Sequence, residues 1–137
     1  MPHILIVEDE PAMSWALAEG LSDDGFTIDT FASGEAACAW LKRGRSDLVI
    51  ADLRLPGMSG LELAKKLARG RSAQPVIIVT AYGNPETVRE LRAAGVADCF
   101  PKPFPIDQLR HSVRRALAAA PAPRRAARPA REDDRPC

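Results

Sequence analysis

Five side chains at well-separated points of the sequence are of types that could do chemistry together: the adjacent acids Glu8 and Asp9, then Asp52, Thr80 and Lys102. Three carboxylates brought to one place repel, a single pair ~4 Å apart costing about 4 kcal/mol at an effective dielectric of 20. Such a cluster calls for positive charge. A hard divalent cation, Mg²⁺ or Mn²⁺, suits an oxygen-rich set and would use one or two carboxylates directly while keeping several waters. Lys102 offers a second, fixed cation. An aspartate held beside a divalent ion and a lysine is a poised nucleophile for phosphorus, because the cations neutralise charge that builds on the equatorial oxygens during transfer. Asp52 is the best-placed nucleophile, and the Thr80 hydroxyl is suited to hydrogen-bond a phosphoryl oxygen on the product. Each residue alone has a plainer explanation: acids after a strand serve as helix caps or dipole partners, Thr is an ordinary strand residue, and a lysine before proline is a solvated loop side chain. The coincidence of all five is what favours chemistry.

The elements that must bring these residues together are legible from periodicity. Short apolar runs alternate with helix-period segments five times, which predicts a parallel sheet with helices on both faces. Strands are expected over residues 3–8, 26–31, 47–52, 75–80 and 97–101. The third and fourth are apolar throughout, as for central strands covered on both sides, whereas the mixed second run belongs at an edge. Pro11 and Pro85 suit first helical turns, Ser33 and Asn84 are candidate N-caps, and Gly25 and Gly95 sit where C-terminal caps belong. The expected inward stripes are Met13, Leu17 and Leu21; Leu61, Ala64 and Leu67 or Ala68; Val88, Leu91 and Ala94; and Ile106, Leu109, Val113 and Leu117. In an open α/β sheet the chemical site lies beyond the carboxyl ends of the strands. That is where Glu8-Asp9, Asp52 and Thr80 end their runs and where Lys102-Pro103 follows the fifth.

Bulk properties bound the rest. At 137 residues and 46% hydrophobic content, the chain can furnish one domain with one buried core. Its longest apolar runs are strand-length, far short of the ~20 residues a membrane helix requires, and the N-terminus resembles no secretory signal, so a cytoplasmic location and no membrane span are expected. Cys38, Cys99 and Cys137 are odd in number and widely spaced, and are read as reduced thiols. Residues 1–120 hold 14 basic and 15 acidic side chains, which argues against a polyanion-binding body. Residues 121–137, rich in Pro, Ala and Arg, cannot build a core and are expected to form a disordered tail or a truncated linker after a domain spanning 1–120.

Four stretches in this order, Ile4-Leu5-Ile6-Val7-Glu8-Asp9-Glu10, Asp52-Leu53-Arg54-Leu55-Pro56-Gly57-Met58-Ser59-Gly60, Thr80-Ala81 and Pro101-Lys102-Pro103-Phe104, resemble the receiver domains of bacterial two-component response regulators over residues 3–118. The resemblance implies a flavodoxin-like (βα)₅ fold of strand order 2-1-3-4-5, the order exemplified by a member of this same family. It further implies Asp52 as phosphoacceptor, Lys102 as the phosphoryl-binding cation and Thr80 as reporter of the acceptor's state. Asp9 and Asp52 match direct Mg²⁺ ligands, Glu8 an acid acting through water, and Arg54 a ligand through its backbone carbonyl. The Lys102-Pro103 bond matches one usually cis in the family. The implied donor is a phosphohistidine on a sensor histidine kinase or histidine phosphotransfer protein. The implied output is an unknown downstream protein reached through the fourth helix, fifth strand and fifth helix, and a phosphorylation-dependent homodimer through that face is compatible with it. Such a chain is not an enzyme on other substrates, catalysing only its own phosphorylation and slow dephosphorylation. Cys99 stands where the family usually carries a switch Tyr or Phe, and Phe100 is no simple stand-in because adjacent strand residues face opposite ways. Arg54 and Tyr82 flank the expected path of the hydrolysing water and are expected to tune phosphoryl lifetime.

Two readings of other classes compete. One is a phosphorylation-independent interaction module of the same fold, which the intact acidic, Thr and Lys set opposes. The other is the receiver part of a DNA-binding regulator lacking its output domain, to which the basic, Pro-rich tail would connect; nothing after Phe104 supplies a recognition helix, so no direct nucleic-acid binding is expected of this chain. A flavin-binding role fails on Glu8-Asp9-Glu10-Pro11, which would repel a phosphate where that fold cradles one.

Overall fold

The computed structural model describes residues 2–70, 74–81 and 84–119. Five strands alternate with five helices: β1 (His3–Val7), α1 (Pro11–Ser22), β2 (Thr27–Phe31), α2 (Gly34–Leu41), β3 (Leu48–Asp52), α3 (Gly60–Arg69), β4 (Val76–Thr80), α4 (Pro85–Ala93), β5 (Asp98–Pro101) and α5 (Ile106–Ala119). All strand pairs are parallel, in the expected order β2-β1-β3-β4-β5. Each strand falls within its expected span, one residue shorter at one end. The tail expected beyond residue 120 lies outside the described residues.

Because side chains alternate across a strand, the sheet splits the apolar residues into two layers. Leu5, Val7, Val49, Ala51, Val76 and Ile78 face Ala37 and Cys38 of α2, Leu63, Ala64 and Leu67 of α3, and Leu91 of α4. Ile4, Ile6, Leu48, Ile50, Ile77 and Val79 face Leu17 and Leu21 of α1 and Leu109 and Val113 of α5. The β3 and β4 side chains are buried from end to end, and β2 and β5 are the half-exposed edges. Each fully buried Leu or Ile contributes ~1.5–3 kcal/mol over an exposed one, so apolar burial on both faces holds the strand ends in register.

The helix ends follow local chemistry. Ser33 Oγ accepts from Ala36 N at 3.1 Å and Asn84 Oδ1 from Thr87 N at 2.8 Å, as expected of those caps. Ser59 and Glu62 form a reciprocal capping box that starts α3 just beyond β3. Gly25 and Gly95, expected near the ends of α1 and α4, both have positive φ.

Two expectations need correction. The inner face of α3 centres on Leu63, Ala64 and Leu67, with Leu61 only partly buried and Ala68 exposed; a stripe read at i, i+3 spacing missed Leu63 because the helix presents a wider apolar arc. Cys99 is a free thiol, as expected, but Cys38 is disulfide-bonded, since cysteine number and spacing do not decide whether a given thiol is paired. Of the tryptophans, Trp15 stands 67% exposed on α1, and Trp40 stacks on His3 with ring centroids 5.0 Å apart.

One ion-pair cluster ties the two helices of the second layer. Asp24, just after α1, accepts from Arg110 at 2.7 Å and Arg114 at 3.1 Å on α5. The Arg110 hydrogen bond chiefly, aided by the charges of both arginines and opposed by burial, holds the Asp24 carboxyl below its ordinary 3.8. A carboxyl depressed on folding adds stability above its unfolded pKa, and that stability is lost as pH falls through the folded value. Asp24→Asn should therefore lower the urea midpoint at pH 7, and the two midpoints should converge as pH is taken well below 3.8. Parallel urea titrations at both pH values check this; a constant offset would mean that the carboxylate charge contributes nothing.

Candidate functional site

The rim beyond the carboxyl ends of β1, β3, β4 and β5 gathers the residues singled out above. β1 and β3 are adjacent, so Glu8 and Asp9, following Val7, lie beside Asp52. One carboxylate oxygen from each of Glu8, Asp9 and Asp52 falls within 4.8 Å of the others, with Glu8 and Asp52 buried and Asp9 exposed. Lys102, in the turn after β5, crosses to this cluster: its Nζ donates to Asp52 Oδ2 at 2.8 Å and to Glu8 Oε1 at 3.2 Å. Lys102 N also donates to the Thr80 carbonyl at 2.8 Å, which ties the turn to the end of β4. Lys102-Pro103 is cis, as the resemblance implies.

Asp52 is oriented from two sides, by Lys102 on Oδ2 and by Arg54 N–H on Oδ1 at 3.1 Å. This local turn, in which an aspartate bonds the backbone two residues on, ends β3 and begins the loop to α3. Thr80 lies one residue beyond Val79, the partner of Asp52 in the β3–β4 register, and is fully buried. Arg54 sits in the β3–α3 loop next to the acid cluster; Tyr82 lies outside the described residues.

The electrostatics are those of an under-compensated acidic site. Burial, then the charge of Asp52, pushes the Glu8 carboxyl above its ordinary 4.5, while the Glu10 N–H and Lys102 pull it back. Burial opposes the charge on Lys102, but the hydrogen bonds and charges of Asp52 and Glu8 outweigh it and hold the ammonium above 10.5. Three acids against one lysine leave net negative charge facing solvent at Asp9. The donor set is all oxygen, acidic and open on one side, which fits a hard divalent cation such as Mg²⁺.

The β3–α3 loop leaves the site and returns to it. Gly60 N donates to the Leu53 carbonyl at 2.9 Å, and a Cβ on Gly60 would collide with the Asp52 carbonyl and come within 2.9 Å of Leu53 Cα. The first residue of α3 must therefore lack a side chain for the helix to start so near the acid. Sequence reading did not single out Glu35, in the first turn of α2, whose Oε2 accepts from Met58 N in this loop at 2.9 Å.

The response regulator receiver domain model matches residues 4–114. This chain belongs to that family. The receiver is 39% identical over 122 residues to the transcriptional regulatory protein TcrA of Mycobacterium tuberculosis, covering 89% of this chain and 48% of that protein. It is 35% identical over 114 residues to sporulation initiation phosphotransferase F of Bacillus subtilis, covering 83% of this chain and 92% of the relative. Among solved structures, the receiver domain of sensor histidine kinase PA1611 from Pseudomonas aeruginosa PAO1, with a magnesium ion in its active site cleft, superposes with a TM-score of 0.78 at 26% identity. That match covers 86% of this chain and 98% of the other. The receiver thus spans about half of TcrA, and no described helix is long and apolar enough to cross a membrane.

Within the receiver, Cys99 and Phe100 face opposite sides of β5, as alternation requires. Cys99 packs against the layer containing Ile78, and Phe100 lies in the other layer against Phe104, ring centroids 5.8 Å apart. Burial first, then the charge of Asp98, raises the Cys99 thiol, so it is a neutral, small packing residue rather than a nucleophile.

Proposed function

We propose that this receiver is a phosphoacceptor switch of a two-component phosphorelay, acting in the cytoplasm and taking a phosphoryl group onto Asp52 with Mg²⁺. The observation that carries the reading is Lys102 Nζ shared between Asp52 Oδ2 and Glu8 Oε1, with Asp9 completing a carboxylate set within 4.8 Å. Asp9, Asp52 and the Arg54 carbonyl would hold Mg²⁺ or Mn²⁺ directly and Glu8 through water. Bound there, the ion supplies positive charge against the oxygens of the transferring group.

An Asp52 carboxylate oxygen attacks phosphorus, the P–N bond of a donor phosphohistidine breaks, and its electron pair stays on the imidazole nitrogen, which is then protonated. Lys102 neutralises charge on the phosphoryl oxygens, and Arg54 N–H keeps the carboxylate oriented. The acyl phosphate adds charge and acceptor oxygens beside Thr80, whose hydroxyl then bonds the phosphoryl group and biases α4, β5 and α5 between two packings. The donor is a sensor histidine kinase or histidine phosphotransfer protein, and the output is a downstream protein or a second copy bound at that face. With Cys99 in place of an aromatic, readout runs through backbone movement at β4 or through Tyr82. The receiver turns over only its own phosphoryl group.

Intact-protein mass spectrometry after incubation with acetyl phosphate, with and without Mg²⁺, tests this. The expected result is a Mg²⁺-dependent gain of one phosphoryl mass that neutral hydroxylamine removes, as for an acyl phosphate. Failure both here and with a phosphorylated sensor kinase would overturn the reading in favour of a phosphorylation-independent interaction module.

A further inference from the structure

The loop between β3 and α3 is fastened at two places. At its base, Gly60 N meets the Leu53 carbonyl, and α3 starts against the Asp52 backbone. At its far side, Glu35 Oε2 of α2 accepts from Met58 N, and the Met58 side chain lies over Gly34, where its Sδ would come within 3.1 Å of an added Cβ. Gly57 must lack a side chain for two reasons: its φ is +71°, and a Cβ there would stand 2.5 Å from Glu35 Oε2. The shape of the loop and the placement of Glu35 are therefore matched. Arg54, whose N–H orients Asp52, lies between the two fastenings.

From this geometry we infer that Glu35 is a positioning residue for phosphoryl uptake, holding the loop so that the Arg54 backbone stays aimed at Asp52 and at the cation site. The inference rests on the switch reading above. Glu35 touches neither the acceptor nor the acid cluster, so its effect travels through one hydrogen bond and the loop backbone from Met58 back to Arg54. Fastened only at its base, the loop would sample other backbone conformations, and the fraction of time it spends in the competent one multiplies both cation affinity and transfer rate.

The test compares wild type, Glu35→Ala and Glu35→Gln in three measurements: amide hydrogen exchange at Met58 in Mg²⁺-free protein, Mg²⁺ affinity by titration calorimetry, and the rate of uptake from acetyl phosphate. Glu35→Ala should speed Met58 exchange and reduce Mg²⁺ affinity and uptake rate roughly three- to tenfold, the range expected for one lost hydrogen bond. Glu35→Gln keeps an acceptor oxygen at the same reach and should restore all three to near wild type, with thermal midpoints alike across the set. Faster Met58 exchange in Glu35→Ala with unchanged Mg²⁺ affinity and rate would overturn the inference, as would a Glu35→Gln variant as impaired as Glu35→Ala. If wild type itself takes up no phosphoryl group from any donor, the switch reading fails, and the role of Glu35 with it.

Discussion

Asp52→Asn should take up no phosphoryl group under conditions that fully modify wild type, while remaining folded. The amide matches the carboxylate in shape but has no nucleophilic oxygen, and neither of the other two carboxylates of the described cluster can replace it: Asp9 is exposed and outside the grip of Lys102, and the Glu8 carboxyl is held toward its neutral form by burial. The thermal midpoint in Mg²⁺-free buffer should not fall below that of wild type. The asparagine carbonyl can still accept from Lys102, and one of three mutually repelling charges is gone. Mass spectrometry with a melting curve on the same sample checks both parts. Residual uptake at wild-type stoichiometry would place the acceptor elsewhere, and a midpoint well below wild type would mean that the ion pair, not the repulsion, dominates at this site.

Lys102→Ala should separate binding from chemistry. Lys102 Nζ lies 2.8 Å from Asp52 Oδ2 and 3.2 Å from Glu8 Oε1, and so competes with a divalent ion for the same negative charge. Removing it should tighten Mg²⁺ binding, yet slow uptake about 10²–10³-fold, the usual loss when one preorganised group facing developing transition-state charge is deleted. Calorimetry gives the first quantity and a phosphorylation time course the second. Weaker Mg²⁺ binding together with slower transfer would mean that Lys102 acts mainly by holding the β5 turn against β4, through its backbone bond to Thr80, rather than by its charge.

Much of this protein was legible in the linear sequence because the information is local or periodic. The two apolar central strands, the alternation with helices, the caps at Ser33 and Asn84, and the acids ending β1 and β3 all follow from patterns a few residues long. Parallel topology then forces strand ends onto one rim, so Glu8, Asp9, Asp52, Thr80 and the turn bearing Lys102 had to converge once the fold class was read correctly. Burial on α3 was less legible, because the width of an apolar arc depends on what packs against it, and Leu63 was found only in the fold.

What the tertiary structure alone decided is which atoms meet across long separations in sequence. That Lys102 bridges Glu8 and Asp52, that Asp24 is clamped by two arginines of α5, and that Glu35 holds the loop at Met58 are pairings between segments 23 to 94 residues apart. Side-chain type and spacing fix which face of an element a residue occupies. Only the packing of helices onto the sheet fixes the few ångströms that separate a shared hydrogen bond from a mere neighbour.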